Sequence, residues 1–305
     1  MRRGYYMEFL HKDREQFLEA INIAEHQTGI MAQIIEKDYY VTMILRLLAD
    51  RLPYIVFKGG TSLAKCYKVI KRFSEDIDIT VDTALSQGEK SKLKSIIVDI
   101  VEELGLRITN LDETKSRRDY NKYAIAYDTV LPMLSEALQP EVLIETSYMT
   151  VSFPTVVLPV DSYIGEMMIT EAPELMQTYA LESFEMKVQG IDRTLVDKVF
   201  AVCDYYLDDS VKKHSRHIYD IYKLLPLVEL DDRFQNLIEE VRKVRKTSPK
   251  CFSAQDGVNI SEILQTIIEK EIYQSDYQEI TEKILEERVP YKVAIEALRE
   301  VAKRW

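Results

Sequence analysis

Cysteine is scarce in this 305-residue chain. Cys66, Cys203 and Cys251 are widely spaced and no Cys-x-x-Cys pair exists, which excludes a disulfide framework and a zinc ribbon and points to a reducing cytosol. Glycine and proline number nine each, and no Gly/Ser linker, internal repeat or low-complexity tract is present. Long hydrophobic runs are missing. The longest uncharged stretch, 146–160, contains Pro154 and Pro159 and reads as strands, so no membrane helix is expected. The segment after Met1 turns charged instead of forming an apolar h-region, so no signal peptide is expected either. Basic charge is in deficit, with 40 Lys and Arg against 51 Asp and Glu and a net charge of −11. Such a chain is a poor non-specific nucleic-acid binder, and any RNA or DNA site needs a local basic patch. No Gly-x-Ser-x-Gly elbow, kinase signature or Gly-x4-Gly-Lys-Ser/Thr loop occurs, which disfavours a serine hydrolase and a P-loop enzyme.

What is present suits a folded protein: 46% apolar and 30% charged residues. The length suggests two lobes. The first fifty residues carry apolar positions at helical spacing (Phe17, Ile21, Ala24; Ile35, Tyr39, Thr42, Leu45). Tyr54-Ile55-Val56-Phe57 reads as a short buried strand. A helix is expected over 61–70, an alternating strand over 73–81, an amphipathic helix over 90–104, and strands over 123–127 and 142–150. A last strand is expected at 184–188, and then a long helix with Asp192 as its N-cap. From 233 onward the pattern is helical, with breaks near Pro249 and at Pro290. The expected fold class is α+β and bilobed. A mixed-sheet lobe flanked by helices covers 1–170, and a largely helical lobe covers 171–305.

The informative motif is Gly59-Gly60-Thr61-Ser62-Leu63, followed by Arg72-Phe73-Ser74-Glu75-Asp76-Ile77-Asp78-Ile79. Two glycines between a strand and a helix let backbone turn tightly and approach a ligand closely. Amides at a helix start favour phosphate, and Thr61 and Ser62 add hydroxyls. Asp76 and Asp78, two apart on a strand, leave the same face about 7 Å apart. Carboxylates that close repel unless a cation lies between them, and hard divalent ions are bound through one or two carboxylates plus substrate phosphates. The bland alternative is the solvated face of an ordinary strand, although aspartate is depleted in strands.

These residues resemble the signature of the DNA-polymerase-β-type nucleotidyltransferase superfamily and, more narrowly, the AbiEii/AbiGii toxin family that includes the MenT toxins. The spacer from Thr61 to Glu75 is slightly longer than the general superfamily pattern. The resemblance implies a metal-dependent enzyme that uses Mg²⁺ or Mn²⁺ to transfer a nucleotide from an NTP with release of pyrophosphate. It implies a third acid on a neighbouring strand. Glu145 is the choice, with Glu141, on the same face by parity, as rival. It also implies that the second lobe completes the active-site cleft. There Asp197-Lys198 and Arg216-His217-Ile218-Tyr219-Asp220 match the family's acid-Lys pair and Arg-x-x-x-Asp stretch.

On this resemblance Asp76, Asp78, Lys198 and Asp220 carry the chemistry, and Asp76, Asp78 and Glu145 hold metal. Gly59, Gly60, Thr61, Ser62, Ser74, Lys198 and Arg216 bind nucleotide. Lys198 borders the apolar stripe of its helix, three residues after Leu195 and four before Val202, and a lysine so placed can grip a triphosphate as a point charge. The bland alternative is an i, i+4 surface ion pair between Arg216 and Asp220. Ile35-Glu36-Lys37-Asp38-Tyr39-Tyr40 also resembles the family and is expected to be structural. The resemblance runs from about 30 to 225.

The implied partners are a cognate antitoxin and a tRNA acceptor, modified at its 3′ end to block translation, with no membrane and a cytoplasmic location. The rival readings are a nucleotidyltransferase that modifies a protein or small molecule, and a non-catalytic nucleotide-binding interaction protein. His214 and His217, three apart, read as helix-start residues ahead of a metal pair. Basic residues gather at 65–72, 115–122 and 242–250. Each group reads as a solvated face that serves RNA only if the three ring one cleft. The base of the NTP, the number of nucleotides added, the antitoxin and the oligomeric state have no signal in the sequence.

Overall fold

The computed structural model describes residues 8–74, 76–132 and 139–305. Seven strands form one sheet: β1 (Ile55–Lys58), β2 (Ile77–Val81), β3 (Arg107–Ile108), β4 (Tyr120–Ala126), β5 (Glu141–Ser147), β6 (Thr155–Val160) and β7 (Phe184–Gln189). Their order is β3-β4-β5-β2-β1-β7-β6. β4 is antiparallel to β3 and β5, whereas β2 runs parallel to β5 and β1 parallel to β7. The helices are α1 (Arg14–Thr28), α2 (Ala32–Arg51), α3 (Gly59–Lys65), α4 (Gln87–Glu103), α5 (Tyr163–Glu171), α6 (Pro173–Met176), α7 (Ile191–Leu207), α8 (Arg216–Leu224), α9 (Asp232–Lys246), α10 (Ile260–Glu269), α11 (Gln274–Glu279) and α12 (Tyr291–Ala302). The class is α+β, as the alternating and helical periodicities imply.

The chain forms two compact units that interleave in sequence. Of the described residues, those within 1–57, 75–148 and 157–188 form one, and those within 58–74, 149–156 and 189–305 the other. In the first, the alternation of β2 and β5 is realised: Ile77, Ile79, Val142, Ile144 and Thr146 are buried, while Asp78 and Glu145 are half-buried. α2 is buried nearly all round. Within Ile35–Tyr40, the Glu36 carboxylate accepts hydrogen bonds from Thr129 Oγ1 (2.6 Å) and Val130 N (2.7 Å), and Asp38 accepts from Tyr163 N (3.0 Å). That stretch ties loops to the core, in keeping with its expected structural role.

The second unit is built around α7, α8, α9, α10 and α12, whose apolar faces form one core. Leu63 and Ile70 belong to the same core. A single cut near residue 170 therefore does not describe the packing, because the segment after β1 buries its apolar side chains in the helical unit.

Several element ends differ from their expected places. α3 stops at Lys65 instead of reaching Ile70. Lys68 adopts a left-handed conformation (φ 56°) and Val69 N donates back to Leu63 O (3.1 Å), a closure that ends a helix. The strand expected from 73 begins at Ile77, because residues 71–73 pair elsewhere. Phe73 N donates to Ile284 O (3.2 Å) and Glu286 N to Lys71 O (3.0 Å). α7 is capped by Gly190, not Asp192; Asp192 lies one residue inside the first turn, where its charge complements the helix dipole.

Candidate active site

In the sheet unit, register decides which acids meet. Asp78 on β2 pairs with Glu145 on β5, and Glu145 pairs with Lys122 on β4. The three side chains form a row across three strands, and Asp76 shares their face by parity. Lys122 Nζ stands 3.0 Å from Glu145 Oε1. Glu141, four residues earlier on β5, lies opposite Ala126 and accepts from Thr109 Oγ1 (3.4 Å), so it is not beside Asp78.

The acids make the local potential negative. Burial alone would lower the Lys122 pKa, but the bond and charge of Glu145, with the charges of Asp76 and Asp78, push it up. The Tyr120 phenol is pushed up to about 12, first by burial and then by Glu145, Asp78 and Asp76. Both shifts mark a place of negative potential that favours a cation, and Lys122 already stands there as one.

Among the described residues, no group of three or more His, Cys, Asp and Glu side chains is gathered as a metal cage. A pair of carboxylates with the remaining ligands drawn from phosphate is nevertheless a binding mode that suits Mg²⁺. The oxygen chemistry and the negative field of Asp76, Asp78 and Glu145 fit such an ion.

In the helical unit, Gly59 takes φ 81°, which favours glycine, and opens α3 directly from β1. Gly60 is needed for space instead. A Cβ there would lie 2.6 Å from Arg72 Nη2 and 2.7 Å from Ser74 Oγ. The Thr61 and Ser62 hydroxyls are buried and engaged. Thr61 Oγ1 is 3.0 Å from Ser74 Oγ, and Ser62 Oγ donates to Gly59 O (2.9 Å). These two hydroxyls brace the turn.

The same unit brings Lys198 of α7 and Asp220 of α8 together. Lys198 Nζ is 2.8 Å from Asp220 Oδ2, and Asp220 is fully buried. Arg72 grips the same carboxylate with both arms of its fork: Nε donates to Oδ1 (2.7 Å) and Nη2 to Oδ2 (2.8 Å). Burial would raise the Asp220 pKa, but Arg72 and Lys198 outweigh it and hold the carboxyl far below the usual carboxylate range. His217 Nδ1 lies 3.4 Å from Lys198 Nζ, and the ring stacks 5.6 Å from Tyr205. Burial first, then the Lys198 charge, keeps this imidazole neutral at physiological pH.

Arg216 stands outside this cluster and donates to Lys213 O (2.9 Å). The i, i+4 surface pair between Arg216 and Asp220 is therefore not made. Arg72 and Lys122, which the sequence places only in basic groups, and His217, which it places at a helix start, prove to contact the candidate acids and Lys198, and Tyr120 stands in the same field with no sequence signal. Arg72 and Asp220 lie 148 residues apart, a separation that carries no spacing signal. Two basic residues considered for RNA are taken internally: Arg242 donates to Val258 O (2.7 Å) and Arg245 pairs with Asp197 and Asp204, while Lys246 makes an exposed pair with Asp256.

The profile of the family described as nucleotidyl transferase AbiEii toxin, type IV TA system, matches residues 45–304. The chain belongs to this family. The match runs through the helical tail beyond 225 and leaves Ile35–Tyr40 outside. This AbiEii-family chain also has the fold of MenT4, a nucleotidyltransferase toxin from Mycobacterium tuberculosis H37Rv. The two share 16% identity with a TM-score of 0.59, over 93% of this chain and 88% of that one. No curated protein matches the chain in sequence. It is thus a nucleotidyltransferase toxin of a type IV toxin–antitoxin system, with an NTP as substrate and an antitoxin as partner. Enzymes of this class generally use divalent metal ions. Among the described residues no helix is long and apolar enough to cross a membrane.

Proposed function

We propose that this toxin transfers a nucleoside monophosphate from an NTP to an RNA acceptor, the 3′ end of tRNA, and so blocks translation in the cytoplasm. The observation that carries the reading is the row of Asp78, Glu145 and Lys122, with Asp76 on the same face, and the negative field at that row. Asp76, Asp78 and Glu145 would hold Mg²⁺ or Mn²⁺. A divalent ion there would supply positive charge to the entering hydroxyl oxygen and to the phosphate oxygens of the leaving pyrophosphate.

The chain's own groups do the rest. Gly59 and Gly60 let backbone approach the triphosphate, while Thr61, Ser62 and Ser74 keep that turn in shape. Lys198 offers a point charge to the phosphates, Asp220 holds Lys198 in place, and Arg216 adds charge from the helix start. The acceptor hydroxyl oxygen bonds to the α-phosphorus as its proton passes to solvent, and pyrophosphate leaves with the electrons of the broken P–O bond.

The test is an incubation of purified protein with Mg²⁺, each α-labelled NTP in turn, and total cellular RNA, resolved on a denaturing gel. A labelled band of tRNA size that disappears with Asp76→Asn and with Asp78→Asn is expected, with thermal unfolding of both variants unchanged. Near-full labelling by either variant would sink the assignment of these acids. Label on a protein or small molecule, with none on RNA, would move the acceptor to the alternative class. Growth arrest on expression, lost with Asp76→Asn, is the cellular counterpart.

A further inference from the structure

We infer that Arg72 is a positioning residue for the reaction: it fixes the Asp220 carboxylate so that Lys198 is presented to the triphosphate, and Gly60 exists to make room for it. The inference rests on the reading of Lys198 as a phosphate group-holder and adds the device that aims it.

The geometry carries the argument. Asp220 is fully buried and Arg72 is 5% exposed, so neither partner is a wandering surface charge. The Arg72 fork takes both Asp220 oxygens, at 2.7 and 2.8 Å, and so fixes the carboxylate plane. Lys198 uses a second lone pair of Oδ2 at 2.8 Å. An ammonium whose carboxylate serves it alone is largely neutralised and drawn onto that partner. Here one carboxylate is shared by two cations, so part of the Lys198 charge stays available to an incoming anion. His217, kept neutral by burial and by Lys198, borders the ammonium on another side without adding a competing charge.

Arg72 is itself anchored from three directions. Its backbone bridges antiparallel to Leu285, the preceding Lys71 N donates to Tyr219 Oη (3.0 Å), and its own Nη1 donates to Phe73 O (3.1 Å). Tyr219 precedes Asp220 on α8, so the arginine's segment and the carboxylate's helix are tied at adjacent residues. Gly60 completes the fit. Its φ is not in the left-handed range, so glycine is not required there for backbone freedom. A Cβ would press on Nη2 at 2.6 Å, the nitrogen that bonds Asp220 Oδ2. In a loose side chain such a clash is cheap to relieve. Here relief breaks a buried charge-assisted hydrogen bond.

The test is the affinity for inorganic tripolyphosphate, measured by calorimetry in EDTA on the full chain, with thermal unfolding recorded for every variant. Lys198→Ala, Arg72→Gln, the double variant, Arg72→Lys and Gly60→Ala are compared. Lys198→Ala and Arg72→Gln are each expected to weaken binding about tenfold or more. In the Lys198→Ala background Arg72→Gln should add little, because it acts through that lysine. Gly60→Ala should weaken binding in the same direction. Arg72→Lys keeps the charge but loses the fork, so it should fold and still bind weakly; it keeps the inference testable if Arg72→Gln does not fold. Unchanged affinity in Lys198→Ala overturns the reading of Lys198 itself. Weakened binding with Lys198→Ala, combined with wild-type affinity in Arg72→Lys and Gly60→Ala or with additive effects in the double variant, overturns the role of Arg72 alone.

Discussion

Lys122 is placed to set the state of the proposed metal site. Its ammonium faces Glu145 at 3.0 Å, in the field of Asp76 and Asp78. A resident cation satisfies part of the charge that would otherwise draw a divalent ion. Lys122→Met should therefore tighten Mn²⁺ binding. The side chain is 44% exposed, which limits the pair to about 1 kcal/mol or less and the gain to about fivefold. A Mn²⁺ titration followed by electron paramagnetic resonance reads this directly, and equal or weaker binding in the variant would show that Lys122 does not compete. The acids themselves were legible from Asp-Ile-Asp-Ile, since only parity and charge are needed to see them. Lys122 was not legible as their partner, because a lysine on one strand and a glutamate on another have no sequence relation until register aligns them.

At the scale of elements, the turn from β1 into α3 is the feature on which the site depends. Gly59 and Gly60 are adjacent but are glycine for different reasons, one for φ and one for volume. Gly59→Ala forces a Cβ into the left-handed region and should cost about 1–2 kcal/mol of stability, read as a shift in denaturant midpoint. No shift would mean that the turn relaxes to another conformation. Gly-Gly announces such a turn in any sequence. The shortness of α3 was hidden, because Leu63, Tyr67 and Ile70 keep helical spacing, while Ile70 is drawn into a core formed by helices far along the chain. For the same reason the strand expected from Phe73 starts only at Ile77: residues 71–73 spend their backbone bonds on 284–286.

For the whole molecule, acid is the sensitive direction. Burial first pushes the His11 imidazole down to about 4, against a raising hydrogen bond to Leu104, and His217 is pushed down for the reasons given above. A histidine with a depressed folded pKa stabilises fully above its unfolded value near 6.5. That stability is lost as pH falls through the window toward the folded value, because the unfolded chain takes up the proton first. For His11 the loss amounts to about 3 kcal/mol by pH 4. Asp220, with its pKa held low, adds stability above about pH 4 that fades only in stronger acid. Denaturation at pH 7.5 and 5 should thus show a marked drop, and His11→Gln should flatten it. An unchanged slope in that variant would place the proton uptake elsewhere.

The sequence by itself determined the fold class, the paired aspartates, the glycine turn and the membership of a nucleotidyltransferase family. Each of these depends on local spacing, on side-chain parity or on a contiguous motif. Only the tertiary structure decided that Glu145 and not Glu141 stands beside Asp78, that Asp220 turns inward to Arg72 and Lys198, and that Arg216 does not follow it. Register between strands chose the first. The burial of α8 against α7 and α12 chose the others, since a carboxylate with no access to water must find its cations within the core, however far away they lie in the chain.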